Sequence, residues 1–81
     1  MSKNIVVKYR FSIGEFVWYM NKLKEPSRFK IAGISAHKTK DKMKVYYMNE
    51  NIPETLYPFN FVPENEVFKT RKELESFYNK I

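Results

Sequence analysis

The chain of 81 residues contains no cysteine and one histidine, His37. Without thiols it can form neither a disulfide framework nor a thiolate metal site. The commonest nucleophile and acid–base pairs of enzymes also lose their usual members. Only two glycines, Gly14 and Gly33, are present, and they lie too far apart to make a phosphate-cradling loop. No apolar run approaches the roughly 18 residues that cross a membrane. The opening Met1-Ser2-Lys3-Asn4 leads into only three apolar residues and does not read as a secretory leader. The expected compartment is therefore the cytoplasm. No cofactor is expected and no carboxylate cluster suited to a metal can be assembled, so the chain does not read as an enzyme.

Acidic residues are scarce where the basic ones gather. Residues 1–48 hold eleven Lys/Arg against three acids (+8), and residues 49–68 hold four glutamates and no base (−4). Residues 69–81 return to +2, giving +6 for the chain. Such an excess suits polyanions or acidic protein surfaces, and equally a soluble exterior.

What the chain has in quantity is rings: seven Phe, six Tyr and one Trp. A single domain this small buries a modest share of its surface, so large apolar side chains must supply the core. Gly14 can take the positive φ of a turn, and it launches the ring-rich run Phe16 to Met20, which suits a pleated surface. Alternation of Ile5, Val7, Tyr9 and Phe11 predicts a strand at about 4–10. Further strands are expected at about 15–20, 28–37, 42–49 and 66–68, with a short edge strand near Leu56 to Phe61 limited by Pro53, Pro58 and Pro63. In the third strand Phe29 and Ile31 share one parity, Ile34 and Ala36 the other. One extra residue at Gly33 would bring all four to the core, so a bulge is expected there. Thr70-Arg71-Lys72-Glu73 matches a capping box, and Leu74, Phe77, Tyr78 and Ile81 follow at helical spacing. That places a helix at about 71–80, docked by its apolar stripe.

The pair Phe11-x-Ile13-Gly14-Glu15-x-Val17-Trp18 and Pro63-Glu64-x-Glu66-Val67-Phe68-x-Thr70-x-x-Glu73-Leu74 resembles a family of small SH3-like β-barrel proteins of bacteriophages, prophages and gut bacteria. The likeness spans roughly residues 11 to 77. It implies a mainly β fold, a five-to-six-stranded SH3-like barrel with a C-terminal helix, as one domain over 1–81, together with a phage or mobile-element origin in a bacterial host. The family carries no catalytic residues to transfer. An added N-terminal strand and a longer insert from Asn51 to Pro63 set this chain apart.

Two candidate surfaces follow. Tyr57-Pro58-Phe59-Asn60-Phe61-Val62-Pro63 packs three rings into seven residues that one small core cannot all absorb. Tyr57, Phe59 and Phe61, with Trp18, are the candidate contacts for a host or phage protein, an inhibitor or accessory role being the expectation. For Trp18 the favoured reading is a place in the core beneath the helix stripe, with the contact surface as the other. Arg28 and Lys30 on one strand, and Lys42, Lys44 and Tyr46 on the next, would converge on an outward basic face if the strands pair through the Lys38–Asp41 turn. With His37 and Tyr46 as rings beside cations, that face suits DNA or RNA. The plainer reading is a lysine-coated exterior that keeps edges apart. Self-association through a barrel edge stays open, and Glu64 and Glu66 read as exposed surface acids.

Overall fold

In a computed structural model of the chain the described residues are 9–79. The Ser12–Glu15 turn sets the start of the sheet. The Glu15 N–H bonds the Ser12 carbonyl at 3.1 Å, and the Glu15 carboxylate accepts from the Ser12 N–H at 3.0 Å. Gly14 sits at φ +91°, a conformation that side-chain-bearing residues avoid. The turn is pinned to mid-sheet by Gly14 N–H to Ile31 O, 2.8 Å, and Ile31 N–H to Glu15 O, 3.0 Å. Strand β1, Phe16–Met20, follows. A loop then closes around Asn21, whose side-chain oxygen accepts from the Leu23 and Glu25 N–H groups.

Strand β2, Pro26–Lys38, is the longest element. It begins on its proline, where a missing N–H is tolerated. A four-residue turn, Thr39 N–H to Lys42 O at 2.7 Å, leads to β3, Met43–Asn49. After a 3-10 turn at Glu54–Leu56 comes the short β4, Phe61–Pro63, then a second 3-10 turn at Glu64–Glu66. The strands form one antiparallel meander in the order β1-β2-β3-β4. It curls into a half-barrel, and Phe68 pairs with Trp18 on the outer edge of β1 by two 2.8 Å backbone bonds.

The bulge falls where the parity break in the sequence puts it. Ile31 faces Asn49 but Gly33 faces Met48, so two residues of β2 oppose one of β3. Beyond that point Ile34 and Ala36 pair with the buried Tyr47 and Val45. Ile34 packs partly on the core, whereas Ala36, near the end of the hairpin, is exposed. Gly33 holds no positive φ, and a Cβ there would meet at close range only the flexible end of Met48, its Cε at 2.9 Å. Phe11, Val17, Phe29, Ile31, Val45, Tyr47, Val62 and Val67 make the core cluster.

Helix α1, Arg71–Tyr78, starts at Thr70, whose hydroxyl accepts from the Glu73 N–H at 3.1 Å. Leu74 is fully buried, and the Phe77 ring lies tilted against Phe68 at 5.2 Å and meets Tyr78 edge-on at 5.1 Å while staying 46% exposed.

Several expectations are corrected. Among the described residues there are four strands, fewer than the five to six expected. The proposed strand at 4–10 lies mostly outside the described residues, and Tyr9 and Arg10 are not in a strand. The segment at 66–68 contributes one bridge at Phe68, because the Glu64–Glu66 turn uses up its backbone. The edge strand sits at Phe61–Pro63, not 56–61, because Leu56 to Phe61 is a run of tight turns. The helix ends at Tyr78, and Ile81 lies outside the described residues.

The two glycines are expected to differ in urea unfolding. Gly14→Ala should lose about 1–2 kcal/mol because its φ is positive. Gly33→Ala should stay within about 0.5 kcal/mol of wild type, since only the flexible end of Met48 must move. Equal losses at both sites would contradict this account of the turn and the bulge.

Candidate binding cleft

The bulge decides what the outer face of the β2–β3 hairpin displays. Ser35 pairs with Tyr46 and His37 with Lys44, while Tyr46 and Met48 pair with Pro63 and Phe61 of β4. Val45, Tyr47 and Val62 turn inward and are buried, so their neighbours Lys44, Tyr46, Phe61 and Pro63 turn outward.

Across this face stands the Tyr57–Phe61 loop. Successive backbone bonds hold it: Tyr57 N–H to Glu54 O at 3.0 Å, Phe59 N–H to Leu56 O at 2.7 Å and Phe61 N–H to Pro58 O at 3.0 Å. The buried Asn49 takes its backbone partner from Asn60 at 2.7 Å, tying the loop base to β3. Between loop and hairpin lies a cleft of about 550 Å³ lined by Ser35, His37, Tyr46, Tyr57, Pro58 and Phe61. The His37 and Tyr46 rings meet edge-on at 5.8 Å, as do Tyr57 and Phe61 at 5.9 Å. His37 Nε2 lies 3.2 Å from Ser35 Oγ.

The two candidate surfaces read from the sequence are thus redistributed. Tyr57 and Phe61 line the cleft together with Tyr46, which the sequence assigned to the basic face. Phe59 does not line it; it is 63% exposed with the Lys22 ammonium 4.5 Å from its ring centre. Of the three loop rings only Phe61 is half-buried, so closure of the barrel end accounts for one of the three. Trp18 is half-buried on β1 at the Phe68 bridge, neither deep core nor fully displayed.

The basic residues do not converge as expected. Lys44 joins His37 and Tyr46, with Lys42 exposed just before β3. Arg28 and Lys30 instead pair with Trp18 and Phe16 of β1, and the Arg28 guanidinium covers the Phe16 ring at 4.2 Å. Lys30 and His37 are seven residues apart, roughly 20–25 Å along an extended strand, and the bulge bends the strand between them.

Sequence reasoning missed a polar knot beneath the hairpin. The buried Tyr47 hydroxyl accepts from the Arg10 and Phe11 N–H groups at 3.1 and 3.2 Å and donates to the Glu64 carboxylate. Glu64 also accepts from the Arg10 N–H at 3.2 Å. Glu64 is therefore half-buried and occupied, not a free surface acid. The Phe11 ring meets Tyr47 edge-on at 5.7 Å. Within one sequence, nothing but the proximity of Tyr47 to a β-rich core could have signalled this contact.

Among the described residues no three His, Cys, Asp or Glu side chains are grouped to hold a metal ion. No described helix is long and apolar enough to cross a membrane. Comparison with protein-family models, curated proteins and solved structures returns no match.

Burial, reinforced by the hydrogen bond to Glu64, pushes the Tyr47 hydroxyl from its ordinary 10.0 up to about 12. Between those values the folded chain keeps a proton that the unfolded chain has released. Stability is therefore fully supported below the ordinary value and falls as pH rises across the window. Tyr78 is also raised, by burial and then by Glu66, so the comparison of wild type with Tyr47→Phe isolates the knot. Tyr47→Phe should lose about 1–3 kcal/mol near neutral pH, because the buried Phe11 N–H loses its acceptor and Glu64 loses its donor. It should also show a shallower alkaline decline in chemical denaturation; an unchanged slope would contradict the assignment.

Proposed function

We propose that the chain is a non-enzymatic binding module that engages a protein partner through the cleft between the β2–β3 hairpin and the Tyr57–Phe61 loop. The observation that carries this reading is the display of rings on a hydrogen-bonded loop beside a further ring-bearing face. Tyr57 is 68% exposed, and such a ring contributes little to the core yet offers area at low entropic cost. The cleft volume falls in the range of natural ligand sites.

The SH3-like class and the phage or mobile-element origin belong to the same proposal. The Trp18–Phe68 pairing supports it, because it lays the Val67–Phe68 segment beside β1 where a fifth strand would close the barrel. A role as inhibitor or accessory factor in the bacterial cytoplasm follows from that origin. Catalysis is disfavoured by chemistry at the cleft. Ser35 and His37 are near neighbours on one strand, with His37 exposed, and no described carboxylate hydrogen-bonds His37 to orient it as a base. Self-association by strand addition is disfavoured at β4, a three-residue edge ending on Pro63.

A second reading, binding of single-stranded DNA or RNA, draws on Lys44 beside His37 and Tyr46. Capture from nuclease-treated bacterial lysate separates the two, with wild type and Tyr46→Ala/Tyr57→Ala as paired baits. The expected result is a protein retained by wild type and lost by the variant. Identical captures by both baits, or recovery that nuclease abolishes, would overturn the protein reading.

A further inference from the structure

We infer that the cleft takes an acidic linear segment of a partner protein. An apolar or aromatic side chain enters between Tyr46, Tyr57 and Phe61, and flanking carboxylates lie over Lys42 and Lys44. This rests on the cleft being the recognition surface and adds the chemistry and direction of its occupant.

Shape argues for a side chain. The two ring pairs that line the cleft stand nearly perpendicular, at 80° and 85°. Their corners receive a branched or aromatic side chain, whereas a stacked nucleobase calls for an open, flat ring face beside its backbone track. The part of the hairpin where β2 pairs with β3, residues 31–49, carries lysines and no arginine, so it lacks the planar forks that grip phosphate bidentately.

Charge argues for acid on one flank. Lys38, Lys40, Lys42 and Lys44 fall within seven residues with Asp41 alone against them, and all four are exposed. The ion pair found among the described residues is Arg71–Glu75, far along the chain, so the hairpin lysines have no carboxylate partner among the described residues. Alternate residues of an extended chain lie roughly 7 Å apart, inside one screening length at physiological salt, so a ligand carboxylate over Lys42 and Lys44 relieves their repulsion.

Direction comes from the far side of Tyr46. A second hollow there is bordered by Lys44, Pro63, Glu64 and Glu66. Glu64 is held by Tyr47 and Arg10, which leaves Glu66 exposed and facing any acidic ligand that runs that way. The acidic end of the segment is therefore drawn to Lys42 and the hairpin tip, and Lys44, which borders the same hollow as Glu66, contributes less.

The test is selection from a random-peptide display library on the immobilised full chain. Anisotropy titration of the best enriched peptide follows, with an oligothymidylate of similar length in parallel. Enriched peptides are expected to combine an aromatic or large apolar residue with two or more neighbouring acids. Affinity should fall about tenfold or more in Tyr57→Ala and in Lys42→Glu/Lys44→Glu, weaken as salt rises, and survive Phe59→Ala. Tyr57 is exposed, so its loss leaves the fold intact, which circular dichroism checks. Enrichment of neutral or basic peptides that still depend on Tyr57 would overturn the acidic assignment and spare the cleft. Acidic peptides indifferent to Tyr57→Ala would overturn the cleft itself. No enrichment, or tighter binding of the oligothymidylate, would overturn the inference outright.

Discussion

The structure depends on one extra residue in β2. A strand shows its side chains to alternate faces, so an uninterrupted ladder would hold a single face inward along its whole length. Phe29 and Ile31 need the inward face in the first half, Ile34 in the second. The insertion between Ile31 and Gly33 satisfies both, and the bend it introduces curls the sheet. The same device sends Ser35 and His37 outward to meet the aromatic loop.

A domain of this size has little core to spare, and two polar devices supplement it. Tyr47 fills the core with its ring and spends its hydroxyl on the Arg10–Phe11 backbone and Glu64, joining three distant parts of the chain. Asn49 does similar work on the cleft side, donating to the Tyr19 hydroxyl at 3.1 Å and accepting from the Asn51 N–H at 2.8 Å. Buried polar groups of this kind hold a unique arrangement only when their partners are in place. Both residues belong to β3, so their bonds fix the strand that carries Tyr46.

Local signals in the sequence carried β1, β2, β3, the bulge and α1, because each rests on neighbours in the chain: parity, a glycine out of phase, a threonine cap three residues before a glutamate. The stretch from Asn51 to Glu66 was not legible in the same way. Its prolines mark turns, but the residues that pair with β3 are chosen by register across the sheet, which put β4 at Phe61–Pro63. The candidate surfaces show the same division. Tyr57 was recognisable as a ring without a core to fill. Its partnership with Tyr46 and His37 depends on the loop folding over the hairpin, a long-range event. Arg28 and Lys30 were misplaced because they lie in the half of β2 that pairs with β1, on the other side of the bulge from the half that pairs with Lys44 and Tyr46.

The cleft therefore follows from the register of two strands, and that register is open to direct observation. Cross-strand nuclear Overhauser effects between β2 and β3 are the decisive measurement. The structure predicts contacts linking Ile31 with Asn49, Ile34 with Tyr47 and Ala36 with Val45. Contacts linking Gly33 with Tyr47 and Ser35 with Val45 would mean a ladder without the insertion, with Ser35 and His37 on the core side and no cleft between hairpin and loop.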